Sequence, residues 1–171
     1  LMKNIIIIGN GLSAWSVANA FLNKNVKVTI IGKKKSIFGA QQLSPNGFLA
    51  LKKLSENGHI QNIIYEIIQI QINSYNNYKT KNLKNFYFNE FNLKYYSVSR
   101  EMLINLLIKN IKNKIKIKEI NKSCVGILQR NTEKFDVLLD NEELISADVI
   151  IGADGVNGVT RKHVCGTTNI I

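Results

Sequence analysis

Gly9-Asn10-Gly11-Leu12-Ser13-Ala14 sets two glycines and a small residue at the spacing G-x-G-x-x-A. Residues of this kind at this spacing suit the binding of a pyrophosphate. Gly9 allows a sharp strand-to-helix bend. Gly11 bares the backbone so that phosphate oxygens can come close, and Ala14 lets helix and strand pack tightly. A helix opening at Leu12 would turn its N-terminal N–H groups and positive dipole end toward that anion. The turn therefore predicts nucleotide binding. Arg100 is a second candidate, because a cation opposes the dipole at the start of a helix and an anionic partner would account for it.

The elements that must position these residues are legible on either side of them. Lys3–Ile8 is a β-branched run fit for a buried strand, residues 12–24 read as a helix, and Val26–Ile31 as a second strand parallel to the first. Ser44-Pro45-Asn46-Gly47 marks a helix start, with Ser44 as cap and Pro45 in the first turn. Residues 63–72 end in period-two alternation, which predicts a strand at about 67–73. The Asn-, Lys- and aromatic-rich stretch 73–93 reads as short strands and turns outside the parallel sheet. Ser99-Arg100-Glu101-Met102 opens another helix, whose apolar face is expected at Met102, Leu103, Leu106, Leu107 and Ile111. Alternation returns at 115–118, 123–130 and 135–139. Asp140-Asn141-Glu142-Glu143 is a hairpin-type turn, and the last strand, 148–151, runs into Gly152-Ala153-Asp154-Gly155. The whole is α/β: a Rossmann-like domain with a parallel sheet and an inserted β-rich portion.

The 171 residues suit one domain with a sizeable core, and 45% hydrophobic content is ordinary for a globular chain. A net charge of +11 raises nucleic acid or an anionic membrane as partners. The lysines are scattered, however, with Lys33-Lys34-Lys35 the densest group. Their abundance alongside Asn and Ile fits AT-rich coding, so nucleic acid is not expected as a partner. Cys124 and Cys165 form no C-x-x-C pair, and His59 and His163 stand apart, so neither a disulfide framework nor a metal site is expected. The apolar run 5–8 is too short to cross a membrane. A cytoplasmic protein is the expectation, with peripheral membrane association still compatible.

Ala147-Asp148-Val149-Ile150-Ile151-Gly152-Ala153-Asp154-Gly155-Val156-Asn157-Gly158-Val159-Thr160-Arg161 carries a more specific signal. Together with the glycine turn, Tyr96-Ser97-Val98-Ser99-Arg100-Glu101-Met102-Leu103 and Gln42-Leu43-Ser44-Pro45-Asn46-Gly47, it resembles the FAD-dependent aromatic hydroxylases. These are the para-hydroxybenzoate hydroxylase-like flavin monooxygenases, with the ubiquinone-biosynthesis hydroxylases nearest. The resemblance runs over essentially the whole chain. It implies an FAD-binding domain over 1–171, with 63–97 as part of a substrate domain. It also implies Gly9, Gly11, Leu12 and Ser13 around the FAD pyrophosphate, Arg100 at the flavin cofactor, Val125 where a strand passes the adenine, and Asp154 and Gly155 as an Asp-Gly motif for FAD and pyridine nucleotide. Asp154-Gly155 also reads as a plain turn, and Arg161 reads equally as a surface cation or a helper in that motif. The activity implied is hydroxylation of an aromatic or quinone-precursor substrate with NAD(P)H as transient reductant and O2. The flavin carries that chemistry, so no side chain is nominated as a catalytic acid or base.

The chain departs from the pattern where the second strand ends. A carboxylate is expected there to accept from the adenosine ribose hydroxyls, but Gly32 and Lys33 occupy the position. Two readings follow: weakened or water-mediated ribose contact with FAD, or a lysine site for a 2′-phosphorylated nucleotide. On the first, Gly32→Glu is expected to tighten FAD binding. Phe38-Gly39-Ala40 likewise departs from the Gly-Ala-Gly loop of the family. The family's later Gly-Asp motif has no counterpart before Ile171, so the chain is expected to be the N-terminal part of a longer flavoprotein. The alternatives are a nucleotide-binding module without turnover and, behind it, an NAD(P) dehydrogenase-type Rossmann domain.

Overall fold

The structure, a computed structural model, describes residues 2–34, 38–54, 59–76, 79–87, 94–112 and 117–166. Lys35, residues 88–93 and residues 115–116, all part of the readings above, lie outside them. In chain order the elements begin β1 (Lys3–Ile8), α1 (Leu12–Ala20), β2 (Val26–Ile31), β3 (Ala40–Leu43) and α2 (Pro45–Leu54). A 3₁₀ turn (His59–Ile63), β4 (Ile64–Ile67), β5 (Gln69–Asn76), β6 (Lys79–Tyr87), β7 (Tyr95–Ser99) and α3 (Arg100–Lys112) follow. The chain closes with β8 (Ile117–Ile120), β9 (Cys124–Asn131), β10 (Lys134–Leu139), β11 (Leu144–Ala147), β12 (Val149–Gly152) and α4 (Val159–Cys165). These form two compact units, Leu1–Ser36 with Ile104–Ile171, and Ile37–Leu103.

The first unit is built on a parallel sheet in the order β12-β1-β2-β8. Ile5, Ile6, Ile7 and Ile8 are all buried. That is why β1 is a continuous isoleucine run and not an alternation: a parallel strand is covered on both faces. On one face Ile6, Ile8 and Ile31 pack with Val137, Leu139 and Ala147 of the antiparallel sheet β11-β10-β9. Strand alternation puts Ile5, Ile7, Val28 and Ile30 on the other face, where α1 packs against β1. The buried Asn19 ties α1 to α3. Its amide donates to the Trp15 carbonyl at 2.7 Å and to the Leu107 carbonyl at 3.0 Å, and its own oxygen accepts from Asn110 at 2.7 Å.

α1 ends at Ala20, short of the expected 24. Phe21, Leu22 and Lys24 each donate three residues back, to Ala18, Asn19 and Phe21. The helix thus tightens into turns through a segment containing Asn23 and Asn25, residues that compete with helical hydrogen bonding.

The second unit holds the antiparallel sheet β3-β7-β4 and the β5-β6 hairpin. Leu43, Leu51, Ile60 and Val98 are buried in it, and the Phe48 and Tyr96 rings stack with centroids 4.6 Å apart. The single strand expected at 67–73 is two strands, divided at Ile68. β4 pairs with β7 and β5 with β6, because alternation marks an extended segment without naming its partner. α3 starts at Arg100 as expected, but its buried face is Leu103, Ile104, Leu107 and Ile111. Met102 is 47% exposed, since it lies off the stripe that the i, i+4 series 103, 107 and 111 defines.

Candidate functional site

The parallel pairing of β1 with β2 and β12 brings three chain reversals to one end of the sheet. Gly9 donates to the Ile31 carbonyl at 2.7 Å, and Ala153 donates to the Ile8 carbonyl at 2.7 Å. Gly9 has φ +124°, and a Cβ there would run into the Ala153 carbonyl. Only glycine satisfies both demands. Gly11 differs. Its φ of −107° is open to any residue, and a Cβ would meet no atom within 4 Å. Glycine is therefore not needed at 11 for the fold, and the free space over its backbone suits a ligand.

The first turn of α1 faces that space without an acceptor. The helical bonds begin with Trp15 donating to the Gly11 carbonyl at 3.2 Å. Among the described residues the N–H groups of Leu12, Ser13 and Ala14 meet no protein acceptor. A helix start with unpaired donors and a bare glycine fits a phosphate group. Asn10 fixes the turn: its amide donates to the Gly32 carbonyl at 3.1 Å and its oxygen accepts from the Trp15 indole at 2.9 Å. Sequence reasoning passed over Asn10 because the x of G-x-G names no residue type.

Gly32 stands where the ribose-binding carboxylate was sought. A Cβ on it would lie 2.9 Å from the Asn10 nitrogen and 2.9 Å from the Gly9 carbonyl carbon. Both are backbone atoms of the glycine turn, so the expected benefit of Gly32→Glu is overturned: the side chain would displace the turn. Lys33 forms an ion pair with Asp140 at 2.7 Å, and Lys34 pairs with Glu119 at 3.1 Å. The hydrogen bond from Lys33, aided by the Ser123 N–H, holds the Asp140 carboxyl below the usual carboxylate range.

Asp154 and Gly155 follow β12 beside Gly9, and Gly155 has φ +88°. The Asp154 carboxylate accepts from the Thr160 N–H at 3.1 Å and from the Thr160 hydroxyl. It thereby caps α4, whose preceding Gly158 has no side chain to do so. A Cβ at Gly158 would overlap the Asp154 carboxylate, and one at Gly152 would overlap Thr160. Thr160 was not singled out from sequence, although an acidic residue just ahead of a helix start was a usable signal. Arg161 donates to the Val156 carbonyl at 3.0 Å, bracing the same loop.

Val125 lies on β9 in the same unit and is 51% exposed. Arg100 belongs to the second unit. It is exposed at the first position of α3, its N–H donates to the Gly39 carbonyl at 3.0 Å, and Ser99 caps the helix through Met102. No cluster of His, Cys, Asp and Glu among the described residues could hold a metal ion.

No family model matches the chain. It is 21% identical over 171 residues to the FAD-dependent monooxygenase ctvC of Aspergillus terreus, an alignment spanning 97% of this chain and 36% of that protein. The crystal structure of CtdE in complex with FAD is similar with a TM-score of 0.71 and 19% identity, over 98% of this chain and 42% of that one. The structure of pqsL from Pseudomonas aeruginosa, described as a probable FAD-dependent monooxygenase, has a TM-score of 0.77 at 14% identity, over 99% and 47%. A 2-methyl-3-hydroxypyridine-5-carboxylic acid oxygenase has a TM-score of 0.67 at 20% identity, over 92% and 41%. The chain spans less than half the length of each of these relatives. What it shares with them, over that length, is the mixed α/β fold of the FAD-dependent monooxygenases.

Proposed function

We propose that the first unit binds FAD at the Gly9–Ser13 turn, and that the protein serves as an FAD-dependent monooxygenase in the cytoplasm. Its substrate would be a small aromatic or quinone-precursor molecule, with NAD(P)H as reductant and O2 as co-substrate. The observation that carries the reading is the open space over Gly11, faced by the unpaired N–H groups of Leu12, Ser13 and Ala14. Those groups bind and orient the pyrophosphate. Asp154-Gly155 closes the turn beside it, and Val125 takes the adenine side. When bound, FAD supplies two-electron chemistry and the activation of O2. Residues 63–97 serve as part of the substrate domain within an FAD-binding chain 1–171.

The test is titration of the purified 171-residue chain with FAD, followed by flavin fluorescence. Saturable quenching is expected, and its absence would sink the reading. Substrate-dependent NAD(P)H oxidation then tests turnover. FAD binding without it would reduce the protein to a flavin-binding module, while binding of NAD(P) alone would favour the dehydrogenase-type domain.

A further inference from the structure

Asp140 stands at the start of the β10–β11 turn, far in sequence from β2, yet its carboxylate is 2.7 Å from the Lys33 ammonium. Its backbone N–H donates to the Ser123 carbonyl at 2.9 Å, which fixes the turn to the entry of β9. Lys33 directly follows Gly32, and Gly32 is bound to the glycine turn through Asn10. The Lys33–Asp140 pair is thus anchored two residues from β2, on the strand end that bears on the adenosine ribose of a dinucleotide in folds of this kind. A carboxylate cannot be carried at position 32 itself, because the glycine turn leaves no room for a Cβ. Lys34 is matched in the same way, with Glu119 at 3.1 Å, and Glu119 also lies 3.7 Å from Lys112.

These pairings bear on which nucleotide the end of β2 accepts. An uncompensated lysine beside the ribose would attract a 2′-phosphate. A lysine already held by a carboxylate offers little net charge, and the carboxylate itself repels a second anion. We propose that Asp140, by pairing with Lys33, selects nucleotides with a free adenosine 2′-hydroxyl and rejects 2′-phosphorylated ones. The proposal rests on the nucleotide site proposed for the Gly9–Ser13 turn. It assigns Asp140 a role in specificity, which it exerts through Lys33.

The experiment titrates the full chain, by calorimetry, with ADP and with adenosine 2′,5′-bisphosphate. The wild type is expected to prefer ADP. In Asp140→Asn the freed Lys33 should tighten adenosine 2′,5′-bisphosphate by about fivefold, the scale of one exposed ion pair, and leave ADP within about twofold. Adding Lys33→Gln to Asp140→Asn should erase the gain, which a general loosening of the turn would not do. Asp140→Ser gives the same readout should the asparagine variant fail to fold. An unchanged ratio of the two affinities in the Asp140 variants overturns the proposal alone, as does a wild type that prefers the 2′-phosphate. A wild type that binds neither ADP nor FAD overturns the nucleotide site and this proposal together.

Discussion

At the scale of single residues, the two glycines of the turn answer to different demands. Gly9 serves the fold, with a left-handed φ and the Ala153 carbonyl where a side chain would go. Gly11 has an ordinary backbone and empty surroundings. Gly11→Val should therefore fold with a stability change within about 0.5 kcal/mol, since nothing in the protein is displaced. Its FAD affinity should fall roughly tenfold or more, because the new side chain takes the space of the pyrophosphate. Flavin fluorescence and thermal unfolding of the same sample check both halves. Gly9→Ala should lose more than about 2 kcal/mol of stability, from backbone strain and collision with Ala153. Equal stability of the two variants would refute the distinction.

Among the elements, β12 and α4 are joined through one side chain. The Asp154 carboxylate takes both the N–H and the hydroxyl of Thr160, and Gly152 and Gly158 are bare because those groups fill the space beside them. Thr160→Val keeps the shape but removes the hydroxyl donor. It should cost about 1–2 kcal/mol, read from urea unfolding, whereas Thr160→Ser should recover most of the loss. A second join lies at the other end of β12. Asp148 accepts from the Asn4 N–H at 2.7 Å and from Lys134, and the Lys134 bond with its neighbours holds the carboxyl below the usual range. A depressed folded-state pKa gives stability that is full above the unfolded value of about 3.9 and is lost as pH falls through the folded value. Asp136, held down first by the Ser146 hydroxyl and then by Arg130, acts in the same sense. The wild type should thus lose more stability between pH 6 and pH 3 (about the carboxylate range) than Asp148→Asn does. Parallel losses in the two proteins would count against the pairing.

Over the whole molecule, the two units differ in how fully they bury their apolar residues. The first sets a parallel sheet between an antiparallel sheet and a helical face, and its central isoleucines are inaccessible. In the second, Ile68, Ile72, Tyr75, Leu83 and Tyr87 are exposed on or beside a two-stranded ribbon. A two-stranded ribbon has few buried contacts to protect its hydrogen bonds. Amides of β5 and β6 should therefore exchange with deuterium well before those of β1 and β12. Uniform protection across all four strands would contradict this account.

Much of the first unit could be read from local pattern. The isoleucine run, the G-x-G-x-x-A turn and Val26–Ile31 specify a parallel β-α-β because each signal is local: strand propensity, a tight turn, a second strand. The Asp140–Glu143 turn and the strand before Asp154 were legible for the same reason. What tertiary structure alone decided were contacts between residues far apart in the chain. Asn10 to Gly32, Asn19 to Leu107 and Lys33 to Asp140 leave no periodicity for a sequence to display. Gly32 shows the difference most directly. In sequence it is a missing carboxylate, whereas in the fold it is a position where the Gly9–Asn10 backbone comes too close for any side chain.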